Sequence, residues 1–174
     1  VVWGHYSVLG AQMSCLTDLL QYRAYTPEKR KWKYLLNLCG NELPLATHRE
    51  IVSRLILLNG SSSIPARHMV NQTEELSRIK YQARLNFNET SVYLDRTIPM
   101  PAPPFSISHN YKSSTYVALS YQFANYLTTN STAIEIHNFF KVCKNPEEHF
   151  YATVFMIPGV PGGYNKNMSH HYTA

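Results

Sequence analysis

From Tyr6 to about Tyr22 the apolar residues Val8, Leu9, Met13, Leu16, Leu19 and Leu20 return at three- and four-residue intervals, which predicts a helix with one buried face. TPEKRK interrupts it, and WKYLLNLC then runs almost continuously apolar over a strand's length, predicting a strand covered on both faces. After GNELPL, Thr47 and Glu50 have the spacing of a capping box, and IVSRLILLNG predicts a helix closed by Gly60. Residues 61–90 are polar, carry the SSS triplet and show no clear period; an insertion or a substrate-facing loop fits there. SVYLDR predicts a short strand, and TIPMPAPPF, with four prolines, an extended or looped passage. TYVAL predicts a strand, Ser120 a cap, YQFANYL a short helix, residues 131–141 another, and a last helix opens at Asn145. Strand, turn and helix in succession place the chain in the α/β class.

Composition narrows this frame. With 174 residues and 44% hydrophobic content, the chain suits one sizeable core rather than two. VVWGHYSVLG has neither an initiator methionine nor the makings of a signal peptide, so the chain is expected to begin inside a longer polypeptide. None of its uncharged apolar runs approaches the roughly 20 residues needed to cross a bilayer. The net charge of +5 and the EKRKWK cluster around Trp32 favour polyanions, a nucleotide diphosphate included. The scatter of the other basic residues and the lack of any nucleic-acid module favour a solvated turn at EKRKWK and no nucleic-acid partner.

Sequons at Asn59, Asn71, Asn88, Asn130 and Asn167 number five, against roughly two expected by chance, which favours a lumenal or extracellular setting. Cys15, Cys39 and Cys143 share no CxxC spacing, so neither a zinc site nor a thioredoxin-like motif is indicated, and the odd count leaves a free thiol or a partner elsewhere.

KNPEEHFYATVF, residues 144–155, holds the candidate chemistry. On the residues alone it is a helix start, with Asn145 as N-cap, Pro146 in the first turn, and Glu147 and Glu148 against the positive end of the dipole. Glu148 stands where a capping box would turn it back onto the Asn145 amide. His149, His170 and His171 form a weak metal candidate, better read as a solvent-exposed tail pair plus one helix histidine. Asp18 and Asp95 are the only aspartates and are far apart, so no paired-aspartate metal site is expected. No GxSxG, GxxxxGK or GxGxxG occurs, and PGVPGGY reads as a turn.

At WKYLLNLCG the chain resembles the core 2/I branching β-1,6-N-acetylglucosaminyltransferase family. YSVLGAQMSCLTDLL, NLCGNELPLATHREIVSRL, KSSTYVALSYQFANYL and NPEEHFYATVFMIPGVPG match family segments in order and span nearly the whole chain. The resemblance implies a GT-A-like α/β glycosyltransferase, with a mixed sheet flanked by helices. Residues 1–174 would be its central part, lacking the first nucleotide-binding strands and the basic residues that grip the UDP diphosphate, and inactive alone. It implies inverting transfer of N-acetylglucosamine from UDP-GlcNAc to an acceptor glycan with no cofactor or metal, in a type II Golgi membrane protein. Glu148 matches the family's catalytic base, which takes the acceptor hydroxyl's proton, and Glu147 keeps the structural role. Cys15 matches a half-cystine whose partner would precede residue 1, Cys39 matches a position that is a free thiol in some members, and Cys143 has no counterpart.

Thr73 and Leu76 stand where core 2 enzymes carry a lysine and an arginine that help hold the acceptor, so the core 2 acceptor itself is not implied. A xylosyltransferase of the broader family, a non-catalytic lumenal glycan-binding relative and, remotely, a basic nucleic-acid binder are the alternatives.

Overall fold

The computed structural model describes residues 1–38, 40, 42–69, 73–104 and 111–164. Helix α1 spans Tyr6–Tyr25, three residues past the expected end, with the His5 ring accepting from the Ser7 amide. A 3-10 turn, Glu28–Arg30, carries part of the EKRKWK cluster: Lys31 pairs with Glu28 at 2.8 Å, and Trp32 donates to the Leu19 carbonyl at 3.3 Å. The Arg23 guanidinium lies 3.6 Å from the Tyr121 ring centroid and donates to the Trp32 carbonyl, locking the turn to the body.

Strand β1, Tyr34–Leu36, pairs antiparallel with β6, Ala118–Ser120. It is shorter and less covered than its sequence predicts, because β6 is its only partner among the described residues and Leu36 and Leu38 remain exposed. An apolar run reports a capacity for burial, not the presence of a second neighbour. Helix α2, His48–Leu57, starts on the expected capping box: Thr47 Oγ1 accepts from the Glu50 amide and the Glu50 carboxylate accepts from the Thr47 amide. It closes through two left-handed residues, Asn59 and Gly60.

The described part of 61–90 is more regular than its polarity suggests. Ser62 is fully buried: its amide donates to the Gly162 carbonyl at 2.7 Å and its hydroxyl accepts from the Ser120 amide at 3.0 Å. The Ser61 hydroxyl donates to the Gly163 carbonyl at 2.9 Å. Serines whose donors are met by backbone carbonyls can be interior, which a polarity pattern does not distinguish from a loop. Then follow β2 (Arg67–His68), α3 (Thr73–Lys80) and the hairpin of β3 (Tyr81–Leu85) with β4 (Val92–Pro99). The hairpin loop is tied by the Asn86 side chain, which accepts from the Thr90 and Ser91 amides.

Strand β5, Tyr111–Lys112, pairs with β2. After β6, Ser120 caps α4 (Tyr121–Thr129) by accepting from the Phe123 amide, and Asn130 caps α5 (Ser131–Phe140). Helix α6, the last among the described residues, spans Glu147–Phe155. The chain is mixed α/β, as expected; its described strands form three separate antiparallel pairs among the helices. Leu9 and Leu16 of α1, Phe123 and Leu127 of α4, Ile136 and Phe140 of α5, and Phe150, Val154 and Phe155 of α6 make one core.

The PGVPGG turn seals that core. Gly162 sits at φ +67°, and a Cβ there would lie against the Ser120 hydroxyl and 3.1 Å from the Phe123 amide nitrogen. Only glycine lets the turn approach the α4 cap so closely.

Candidate active site

Helix α6 is buried along its whole length except at Glu148. Its start differs from the expected cap. Asn145 is left-handed, with φ 53°, and fully buried; its amide donates to the Gly4 carbonyl at 2.9 Å, and its side chain makes no hydrogen bond to the helix. Pro146 occupies the cap position without a side-chain bond, and the first amides are met by i−3 bonds from Glu148 to the Asn145 carbonyl and from His149 to the Pro146 carbonyl. With the Asn145 amide already engaged, Glu148 has no capping box to close.

Instead the Glu148 carboxylate turns outward. Its Oε2 accepts from Arg78 Nη1 of α3 at 2.8 Å and lies 3.3 Å from Lys112 Nζ of β5. Its side chain is 24% exposed, while Arg78 and Lys112 are 17% and 16% exposed, so the cluster sits at a wetted rim rather than in the interior.

Glu147, its neighbour, is 4% exposed, and its Oε2 has no hydrogen-bond partner among the described residues. Burial pushes this carboxyl above the usual range, with the nearby Glu148 charge adding to the shift. One glutamate of the pair is interior and the other meets solvent.

Strand β5 is docked on the first turn of α6. Ser113 donates its amide to the Glu148 carbonyl at 2.7 Å, and the His149 Nδ1 bonds to the Tyr111 carbonyl at 3.3 Å. Facing a carbonyl, Nδ1 must carry the proton, so the buried Nε2 is left as a bare acceptor without a partner among the described residues. Burial depresses the imidazole from 6.5 to about 4, with smaller contributions from Arg78 and Lys112. His149 also stacks on Phe140, which makes it a core residue; His170 and His171 lie outside the described residues, as do Asn71, Asn167 and Cys39. Among the described residues no group of His, Cys, Asp and Glu could hold a metal ion. Asp18 lies on α1, and Asp95 is occupied by the Thr97 hydroxyl at 2.6 Å.

Tyr111, next to Lys112, also lines a cavity of about 750 Å³ whose walls include Gln122, Tyr164 and the glycines of the PGVPGG turn. Cys143, behind the site, is fully buried, and burial pushes its thiol far up; Cys15 is exposed on α1. Asn59 and Asn88 are exposed in turns, whereas Asn130 is half-buried and uses its Oδ1, not the Nδ2 that a glycan would modify, to accept from the Thr132 amide. Leu76, one of the two positions at which the core 2 acceptor residues are not matched, is half-buried and shares α3 with Arg78. Sequence reasoning missed both Arg78 and Lys112; the sole signal near either was the lysine opening KSSTYVAL.

The chain belongs to the Core-2/I-branching enzyme family, whose model matches residues 1–174. It is 35% identical over 172 residues to an N-acetyllactosaminide β-1,6-N-acetylglucosaminyl-transferase of Mus musculus, covering 97% of this chain and 40% of that protein. The Homo sapiens protein of the same name is 34% identical over 162 residues, covering 93% of this chain and 38% of its own. A β-1,3-galactosyl-O-glycosyl-glycoprotein β-1,6-N-acetylglucosaminyltransferase 4 of Danio rerio is 30% identical over 163 residues, 93% of this chain and 36% of that protein. The chain thus spans about 40% or less of the length of these relatives. No helix among the described residues is long and apolar enough to cross a membrane.

Proposed function

We propose that this chain is the central part of the catalytic domain of a GT-A-like, inverting β-1,6-N-acetylglucosaminyltransferase that acts in the Golgi lumen. Its donor is UDP-GlcNAc and its acceptor a glycan. Glu148 is the general base. The proton of an acceptor hydroxyl passes to the Glu148 carboxylate as the acceptor oxygen forms its bond to the anomeric carbon. The bond from that carbon to UDP breaks on the opposite face, and UDP leaves with the electron pair. A single displacement of this kind needs no enzymic nucleophile.

The observation that carries this reading is the asymmetry of the glutamate pair. Of the two carboxylates in NPEE, only Glu148 meets solvent, at the end of an otherwise buried helix. A rigid base at a wetted rim suits proton transfer to an incoming hydroxyl, whereas Glu147 is sealed from substrate. The sequence matches support the sugar and the linkage, and the sequons support the lumenal setting; that the transfer needs no metal rests on the family resemblance alone. The nearby cavity, of about 750 Å³, falls in the usual size range for a ligand site.

The test is a donor and acceptor panel on the polypeptide carrying this chain with whatever flanking sequence its gene encodes. UDP-GlcNAc with N-acetyllactosamine or core 1 acceptors should give a β-1,6 product by NMR, and the rate should survive EDTA. Transfer from UDP-xylose to a serine peptide would replace this reading with a xylosyltransferase, and glycan binding without transfer would replace it with a lectin-like role.

A further inference from the structure

We propose that Arg78 and Lys112 are positioning residues that together pin Glu148 Oε2 and so present Oε1 as the proton-accepting atom. This rests on the reading of Glu148 as the general base. Two cationic donors from different elements, Arg78 Nη1 at 2.8 Å and Lys112 Nζ at 3.3 Å, converge on the same oxygen. Oε1 accepts no hydrogen bond among the described residues, so its lone pairs stay available to a hydroxyl.

A glutamate in the first turn of a helix ordinarily moves between rotamers and can fold back to the cap amide. That alternative is closed here, because the Asn145 amide is spent on the Gly4 carbonyl at 2.9 Å. The clamp is itself rigid. Lys112 is carried by β5, whose neighbours Tyr111 and Ser113 bond directly to His149 and Glu148, so the lysine is fixed to the helix whose carboxylate it holds. Arg78 approaches from α3, 70 residues away in sequence. Two donors on one oxygen remove the rotation of the carboxylate that a single ion pair would leave, which is the kind of preorganisation a positioned base needs.

Lys112→Met keeps the length of the side chain and removes the charge. In the polypeptide carrying this chain with its natural flanks, kcat should fall about tenfold or more for loss of orientation. KM for UDP-GlcNAc should stay within about twofold, since donor binding is not what the lysine serves. Lys112→Arg should recover most of kcat, and the melting temperature should hardly move. Parental kcat in Lys112→Met overturns the clamp; so does a loss that Lys112→Arg fails to recover, or one explained by a fall in folded fraction. Should Lys112→Met fail to fold, Lys112→Gln carries the same comparison. Glu148→Gln run beside it separates the two readings. An active Glu148→Gln removes the base assignment itself, whereas an inactive Glu148→Gln beside a fully active Lys112→Met removes only the clamp.

Discussion

His149 gives the sharpest stability prediction, because its ring is held in a form that acid must destroy. The imidazole is fully buried, bonded through Nδ1 to the Tyr111 carbonyl, and its Nε2 faces no partner among the described residues. Adding a proton would place a charged N–H with no acceptor in the core. Burial depresses its ionisation from 6.5 to about 4. At about 1.4 kcal/mol per pH unit, that gap corresponds to about 3 kcal/mol of stability. The sign is fixed by which state binds the proton. Above pH 6.5 the ring is neutral folded or unfolded, and the stability is complete. Between 6.5 and 4 the unfolded chain takes up the proton and the folded chain does not, so stability falls with pH until the folded ring titrates as well. His149→Phe keeps the packing against Phe140 and cannot titrate, at a cost near neutrality of about 1 kcal/mol for the lost hydrogen bond. Urea midpoints followed by far-UV circular dichroism at pH 7, 6, 5 and 4.5 should therefore cross: wild type more stable at pH 7, the variant more stable at pH 4.5. Glu147 titrates in both proteins and cancels in the comparison. Parallel curves over this window would refute the buried neutral ring. Because the same ring anchors β5, loosening in acid should also release Lys112 from Glu148.

Two further consequences concern the frame around the site. Gly162→Ala should destabilise by about 2 kcal/mol or more in thermal or urea unfolding, since a left-handed φ costs about 1–2 kcal/mol and the new methyl meets the Ser120 cap; a neutral result would mean the turn does not pack as described. After reduction, the exposed Cys15 should react with a maleimide in the native protein while Cys143 should not, as burial pushes its thiol upward and closes access. Labelling of Cys143 without denaturant would contradict its place in the core.

What the sequence shows clearly is what local physics decides. Helix α1, the Thr47 and Glu50 box and the Ser120 cap follow from periodicity and side chains that bond within a few residues of themselves. The misread features depend on distant partners. WKYLLNLC has the composition of a doubly covered strand, yet among the described residues only β6 pairs with β1. The serines at 61 and 62 are interior because carbonyls about a hundred residues away receive them. Asn145 has the identity of a cap but is turned left-handed, and Gly4, near the start of the chain, takes its amide. The glutamate pair was visible as a helix opening, and the family motif separated its members. That Glu148 would be held by Arg78 and Lys112 was not legible, since nothing local links α3 and β5 to that turn.

Glu148, and not Glu147, is proposed to accept the acceptor's proton, and kcat for the two isosteric variants distinguishes the two carboxylates. With UDP-GlcNAc and the acceptor found active in the panel, Glu148→Gln should lose about 10²-fold or more in kcat at an unchanged melting temperature, as expected for removal of a general base. Glu147→Gln should keep kcat close to wild type and become more stable relative to wild type as pH rises past the ordinary glutamate range, because wild type must then ionise a buried carboxyl and the variant does not. Near-normal kcat in Glu148→Gln, with the loss appearing in Glu147→Gln, would contradict the account.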